Sequence, residues 1–243
     1  PPFNQKDWRG VNELLDDPRW SGYDVPPTSN ANYGWILNMV SKLSQNGVAG
    51  FILANGALSG GGEEYKIRKK LIENDLVESI VILPRNLFYT TDISVTLWIL
   101  NANKKQREFE QNAKTKIHRD RTNEILFMDL RQKGIPFEKK FTQFDDATVE
   151  EVTNTYHVWQ SDKKAYEDIA EYCYSASKDE VEKKDYSLVP SKYIEFVNRD
   201  ENIDFDTKMT ALQSEFLELL KEEEKSKQEL LTVFKELGYE IKL

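Results

Sequence analysis

The sequence is poor in the residues from which disulfide-linked and metal-bound proteins are built. Among 243 residues there are one cysteine, Cys173, and two histidines, His118 and His157. A single cysteine has no partner within the chain, which excludes a disulfide scaffold and favours a reducing, cytoplasmic location. These three residues match no familiar zinc-site spacing, so we expect no metal site.

Long apolar runs and a basic net charge are also missing. No stretch approaches the roughly 18 apolar residues of a membrane helix, so we expect no membrane contact. The net charge of −9 argues against a free-standing basic nucleic-acid binder. Residues 1–121 carry 16 basic and 14 acidic side chains, whereas residues 122–243 carry 17 and 28. This asymmetry predicts two regions with different partners.

The first half of the chain alternates helical and strand patterns. After a Pro-punctuated loop, helical spacing begins near Asn32, and Gly47 is expected to end that helix. A second helix is predicted over about residues 63–73. Short apolar runs predict four strands, at 48–54, 76–83, 93–100 and 125–130.

The wiring of these elements predicts an α/β fold. The connection between the second and third strands is too short for a crossover helix, so these strands should form an antiparallel, reversed hairpin. The first strand has the continuous apolar character of a strand buried on both faces. Without a preceding part of the protein to supply a neighbouring strand, it would present a hydrophobic edge.

The second half changes character. From about residue 148 aromatic and acidic residues mix at helical spacing as far as Cys173. The last forty residues hold an apolar stripe with 3-4 spacing and a polar break at Glu223 and Ser226. The stripe consists of Met209, Leu212, Phe216, Leu219, Leu230, Val233 and Leu237. Such a helix suits a bundle or a partner helix, and we place a domain boundary between residues 143 and 144.

Three ordered blocks resemble the modification (M) subunit of type I restriction-modification systems. They are the opening PPFNQKDW, a passage from YGWILNMV at 33–40 to NANKK at 101–105, and DYSLVPSKYI at 185–194. The family consists of adenine-N6 DNA methyltransferases that use S-adenosylmethionine. The resemblance implies that residues 1–143 are the second half of a Rossmann-like class I methyltransferase sheet. Residues 144–243 would then be a helical assembly region.

The resemblance also assigns the candidate catalytic residues. In the family the motif is Asn-Pro-Pro-Phe or Asn-Pro-Pro-Tyr, and Pro1, Pro2 and Phe3 match its last three positions. An adenine amino group is a poor nucleophile because its lone pair is delocalised, so the site must accept hydrogen bonds from its N–H groups. The Pro1 carbonyl would be one acceptor, and Pro2, with its fixed φ, would hold its direction. Phe3 would stack on the base after its extrusion from the duplex.

A second aromatic residue is implied on the other face of that base. Phe88, in the loop between the second and third strands, falls in the matching place. The alternative is that Phe88 only anchors the hairpin onto the sheet.

The family's remaining catalytic parts are missing from this sequence. The Asn before Pro1, the cofactor loop and the acidic ribose ligand would all lie upstream of a chain that starts at Pro1 without Met. We therefore interpret the sequence as part of a longer protein, expect the main S-adenosylmethionine site upstream, and expect this part alone to be inactive. The triple glycine at 60–62 has no G-x-G-x-x-G frame to replace that loop.

DNA contacts are expected from lysines and arginines. The candidates for phosphate contacts are Arg68, Lys69, Lys70, Arg85, Lys104, Lys105 and Arg107. A solvated helix face or a surface ion pair is the alternative for each. The stretch 104–121, with seven basic and three acidic residues, either lies along DNA or forms a solvated hairpin loop.

The implied partners are double-stranded DNA, a specificity (S) subunit that recognises the DNA sequence, and a restriction subunit in the larger complex. In the family the C-terminal helices form a bundle with the S subunit, which the apolar stripe fits. The main alternative is a non-catalytic assembly module with a methyltransferase-like shape. A third possibility is a solitary adenine methyltransferase with its own recognition domain. The acidic tail disfavours it, because an acidic segment is poorly suited to reading DNA.

Overall fold

The computed structural model describes residues 1–111, 113–197 and 204–238. By compactness the chain divides into two units, Pro1–Phe196 and Val197–Leu243. The described helices are α1 (Asn32–Val40), α2 (Gly62–Glu73), α3 (Asp146–Ser161), α4 (Lys178–Lys183) and α5 (Phe205–Glu236). The described strands are β1 (Val48–Ala54), β2 (Val77–Ile82), β3 (Val95–Asn101), β4 (Arg107–Gln111), β5 (Lys114–His118), β6 (Glu124–Asp129), β7 (Ile135–Phe137), β8 (Phe141–Gln143) and β9 (Cys173–Ser177).

Five strands form one sheet in the order β1-β3-β2-β6-β9. β3 lies between β1 and β2 and is antiparallel to both, with Trp98 opposite Phe51 on one side and Ile80 on the other. β6 runs parallel to β2, and β9 runs antiparallel to β6. The α/β class and the antiparallel pairing of the second and third apolar runs are thus confirmed. The sheet does not end at that hairpin, because β6 and β9 extend it beyond β2.

The two faces of this sheet carry separate apolar clusters, since side chains alternate along each strand. One face packs against α1 and α2, and the other packs against α3. Within β6, Phe127 belongs to the first cluster, while Leu126 and Met128 belong to the second. The second cluster also contains the fully buried Trp159 of α3.

β1 lies at one end of the sheet in the described part of the chain. Leu53 is fully buried, whereas Val48 is 53% exposed. The expected burial of both faces therefore holds for the end of β1 but not for its beginning. The predicted hydrophobic edge is present in the described structure.

Two predicted helices end earlier than expected. α1 ends at Val40 rather than at Gly47, because the amides of Lys42 and Leu43 bond to carbonyls three residues back. α3 ends at Ser161, because the backbone of Asp162 is extended. Cys173 is the first residue of strand β9 and does not continue a helix.

The first compact unit extends beyond the predicted domain boundary. Residues 144–196 contribute α3, β9 and α4 to it, and β9 pairs with β6 from Glu124↔Ser177 to Met128↔Cys173. The division into compact units falls between Phe196 and Val197. Main-chain pairing and the buried Trp159 hold this segment to the sheet.

The basic stretch 104–121 contains β4 and β5, which pair antiparallel from Arg107↔His118 to Gln111↔Lys114. It is therefore a two-stranded hairpin. The flanking residues Lys104 and Arg121 are buried.

In the second unit, the stripe-bearing sequence forms the 32-residue helix α5, as predicted. Asp204 caps it by accepting a hydrogen bond from the Thr207 amide, and none of its residues is buried. No helix in the described residues has the length and apolar character needed to cross a membrane.

Candidate active site

The segment after Pro1, Pro2 and Phe3 is fixed to the start of α1 by paired asparagines. The Asn4 amide donates to Asn32 Oδ1 at 3.0 Å, and Asn32 Nδ2 donates back to Asn4 Oδ1 at 2.8 Å. The Ala31 amide donates to the Gln5 carbonyl at 2.9 Å. Asn4 has φ of 51°, a left-handed conformation that asparagine tolerates better than most residues.

A second anchor follows at Trp8. Its Nε1 donates to the Pro27 carbonyl at 2.7 Å, and its ring meets Trp20 edge-on at 6.1 Å between centroids. A Cβ at Gly34 of α1 would come within 2.9 Å of the Trp8 ring, so this close approach requires glycine. The opening segment is therefore held in one place on α1.

Phe3 lies where the two faces of the sheet meet. It is half-buried and packs against the buried clusters of both faces, which is possible only at a margin of the sheet. Pro1 and Pro2 are exposed. The motif is thus presented at the margin of the sheet, while the assigned roles of its residues remain predictions.

Phe88 lies in the loop between β2 and β3. It is half-buried, packs against the α3-side cluster that Phe3 also contacts, and forms an isolated backbone bridge with Thr91. Its neighbour Tyr89 is 73% exposed and meets the Phe141 ring edge-on at 4.8 Å. This placement is compatible with both base stacking and hairpin anchoring.

An open cleft lies at the carboxyl ends of the three mutually parallel strands β1, β2 and β6. Its volume is about 680 Å³. Its lining includes Asn55 after β1, Pro84 after β2 and Arg131 after β6. Ligands of open α/β sheets bind at this end of the strands.

The cleft is lined by five cations, and none of the described residues that line it is a carboxylate. The cations are Arg85, Arg131, Lys133, Lys139 and Lys140. The ribose diol and the sulfonium cation of S-adenosylmethionine call for carboxylate partners. The cleft therefore does not fit this cofactor, and it fits an anion.

Three of these cations are held by neighbouring acids. Arg131 donates to Asp129 at 2.6 Å, and this hydrogen bond raises the pKa of Arg131. Lys133 pairs with Glu151 at 2.6 Å, and Arg85 pairs with Asp92 at 3.2 Å.

Two of the predicted phosphate contacts are buried. Arg68 is 2% exposed and donates to the carbonyls of Tyr186 and Gly60 at 2.8 and 2.7 Å. Lys104 is 3% exposed and its Nζ lies 2.6 Å from Asp75 Oδ1. Neither side chain is free to contact a DNA phosphate, because their polar groups join elements of the core.

The remaining candidates are dispersed. Lys69 lies 3.8 Å from Glu73 on α2, and Lys70 and Lys105 are exposed. Arg107 is half-buried on β4, with its guanidinium over the Phe109 ring. Of the seven predicted residues, Arg85 is a lining residue of the cleft.

The predicted phosphate contacts did not include Arg131, Lys133, Lys139 and Lys140. A signal was available, since residues 131–140 hold four basic residues and one acidic residue immediately after a predicted strand.

At the other end of β6 a buried polar network joins the sheet to the β4–β5 hairpin. Arg121 Nε donates to Glu78 Oε1 at 3.1 Å, and both side chains are 0% exposed. Asn101 and Gln160 also donate to the Glu78 carboxylate. Burial, together with the charges of Arg121 and Arg107, lowers the pKa of His118 to about 4.

We expect acid to destabilise the fold through His118. The unfolded histidine titrates near 6.5 and the folded one near 4, so the unfolded state binds more protons between these values. Stability should therefore fall as the pH drops from about 6.5 towards 4. In urea unfolding, His118→Gln should show a smaller drop across this window. An identical drop in both proteins would contradict the expectation.

Comparison with known proteins identifies the family. Residues 1–202 match the N-6 DNA methylase family, and the chain belongs to it. The chain is 37% identical over 99% of its length to the type I restriction enzyme HindI methylase subunit of Haemophilus influenzae, of which it covers 51%. It is 32% identical over 98% of its length to the MjaIX methylase subunit of Methanocaldococcus jannaschii, of which it covers 41%. The chain thus spans about half the length of these relatives or less.

Two solved structures of methyltransferase subunits are similar to this chain. The type I restriction-modification methyltransferase subunit of Streptococcus thermophilus matches 81% of this chain with a TM-score of 0.66 and 29% identity, over 37% of its own length. The EcoKI M protein matches 85% of the chain with a TM-score of 0.52 at 16% identity, over 45% of its own length, which supports the fold.

Proposed function

We propose that this chain is the second half of a type I modification subunit, which transfers a methyl group from S-adenosylmethionine to the N6 amine of adenine in duplex DNA. The observation that carries the proposal is the position of Pro1, Pro2 and Phe3 in a chain of the N-6 DNA methylase family. The motif is anchored on α1 and lies at the margin of the sheet where both apolar clusters meet.

In this proposal the chain positions the target base. The Pro1 carbonyl accepts a hydrogen bond from the adenine amino group, which keeps that group oriented. Phe3 stacks on one face of the extruded base, and Phe88 contacts the other. A base held between two rings is kept away from water and fixed for transfer.

The cofactor site is proposed to lie upstream, because the cleft of this chain does not fit S-adenosylmethionine. Calorimetry with S-adenosylmethionine tests this on two proteins, the present chain and the full-length protein. We expect binding by the full-length protein only. Binding by neither would contradict the methyltransferase proposal, and binding by the present chain would contradict the upstream site.

We propose that α5 binds the specificity subunit in a cytoplasmic complex that also contains DNA and a restriction subunit. Phe216 and Leu219 of the predicted stripe are 62% and 56% exposed, and Leu217 and Leu220 add apolar surface beside them. An apolar helix face of this kind is typical of helix association.

The double variant Phe216→Ser and Leu219→Ser should weaken binding to the specificity subunit at least tenfold, because both side chains lose apolar contact area. Surface plasmon resonance with full-length proteins measures this. Glu222→Ser and Glu229→Ser, on the same exposed helix, serve as the control and should change the affinity little. Equal affinity of the stripe variant and the wild type would contradict the proposed interface.

The second candidate is the assembly module without catalysis, which also suits α5, since none of its residues is buried. Absence of methyl transfer together with retained binding to the specificity subunit would favour it.

A further inference from the structure

We propose that the cleft at the carboxyl ends of β1, β2 and β6 binds the phosphodiester backbone of the DNA strand that carries the target adenine. The inference rests on the proposed function and adds a site for the substrate. The β7–β8 hairpin becomes a DNA-contacting element, with Lys139 and Lys140 in its turn.

The charge of the cleft supports an anionic ligand. Lys139 and Lys140 are exposed, and in the part of the chain that the structure describes neither forms an ion pair with a carboxylate. Arg85, Arg131 and Lys133 are oriented by their acidic neighbours. Two unpaired lysines beside three oriented cations provide the multiple contacts with which proteins bind a phosphate backbone.

The hairpin and the loop that carries Phe88 form one continuous structure. The Thr142 amide of β8 donates to the Asn86 carbonyl of that loop at 3.0 Å. The Lys140 Nζ lies 4.9 Å from the centre of the Phe141 ring, which itself contacts Tyr89. The lysines are thus held beside the aromatic loop.

A smaller depression connects this hairpin to the predicted base-stacking residue. Its lining includes Phe88, Tyr89, Lys140 and Phe141, with a volume of about 490 Å³. Asn86, Lys140 and Phe141 line both this depression and the cleft. A base extruded next to Phe88 would therefore have its flanking phosphates beside Lys140, and the strand would continue into the cleft.

The cleft includes the predicted residue Arg85, but it lies apart from the predicted basic stretch 104–121. Val95, at the start of β3, pairs with the end of β1 and therefore lies at the cleft end of the sheet. The β4–β5 hairpin follows Asn101 at the other end of β3, so it begins at the end of the sheet opposite to the cleft. The inferred DNA path therefore follows residues 131–140 rather than 104–121.

The test uses the full-length protein in complex with its specificity subunit and a fluorescent DNA duplex. The variant is Lys139→Gln with Lys140→Gln, and anisotropy gives the Kd over a series of salt concentrations. The control is Lys164→Gln with Lys183→Gln, which removes the same amount of charge. Both lysines are exposed and lie towards the start of β6 and the end of β9, away from the cleft. Adenine methylation by the wild-type complex is measured in the same preparations.

We expect the cleft variant to raise the Kd about tenfold at physiological salt and to flatten the log–log salt slope by roughly 1 to 2. The control should leave both unchanged. An unchanged Kd and slope in the cleft variant, or equal losses in the control, would overturn the inference. A weaker Kd with an unchanged slope would also overturn it, because phosphate contacts release counterions. Absence of adenine methylation by the wild type would instead contradict the proposed function.

Discussion

Replacing Phe3 by alanine in the full-length protein is expected to lower kcat/KM for DNA methylation roughly 5- to 150-fold. Stacking of a base on an aromatic side chain contributes about 1–3 kcal/mol by alanine substitution, which corresponds to this range. Phe3 is half-buried between the two clusters, so part of its ring remains available to a base. Initial rates of tritiated methyl incorporation into DNA measure the effect.

Two further variants separate stacking from loss of folding. Phe3→Tyr retains the ring and should retain most of the activity. Phe196→Ala removes a 59% exposed ring at the end of the first unit and should leave the rate unchanged. A Phe3→Ala enzyme with the wild-type rate would contradict the stacking role.

Replacing Arg121 by methionine is expected to destabilise the first unit by about 3–5 kcal/mol. The substitution leaves the fully buried Glu78 carboxylate without its cation, and it also removes the bonds from Arg121 to the carbonyls of Arg119 and Gln160. These bonds join β2 to the β4–β5 hairpin and to the end of α3. Urea unfolding followed by tryptophan fluorescence measures the change.

A double variant tests the cause of that loss. Glu78→Gln added to Arg121→Met removes the buried charge but keeps an oxygen acceptor for Asn101 and Gln160, so it should recover part of the stability. The surface control Arg85→Met breaks an exposed pair with Asp92 and should cost at most about 1 kcal/mol. Additive losses in the double variant would show that the ion pair is not the cause.

The fold of the first 130 residues was largely predictable because its signals are local. Apolar runs placed β1, β2, β3 and β6, and a short connection made β2 and β3 antiparallel. The position of β3 between β1 and β2 was not predictable in this way, since strand order depends on non-local pairing. β9 was missed because CYSAS has no apolar run, and its strand character comes from pairing with β6.

The candidate site was only partly predictable for a similar reason. The resemblance picked out Pro1, Pro2, Phe3 and Phe88, which the structure places at the margin of the sheet and in the β2–β3 loop. Charge alone did not distinguish Arg68 and Lys104, which bond within the core, from the cations of the cleft. The sequence shows that a lysine or arginine carries a charge, but only the fold shows whether that charge faces solvent.

The most direct test of the proposed activity is nucleoside mass spectrometry of DNA incubated with S-adenosylmethionine and the full-length protein in complex with its specificity subunit. N6-methyladenine should accumulate with time, and it should not accumulate when the cofactor is omitted. DNA without new methyl groups, or with methylated cytosine alone, would contradict the proposed adenine-N6 methyltransferase.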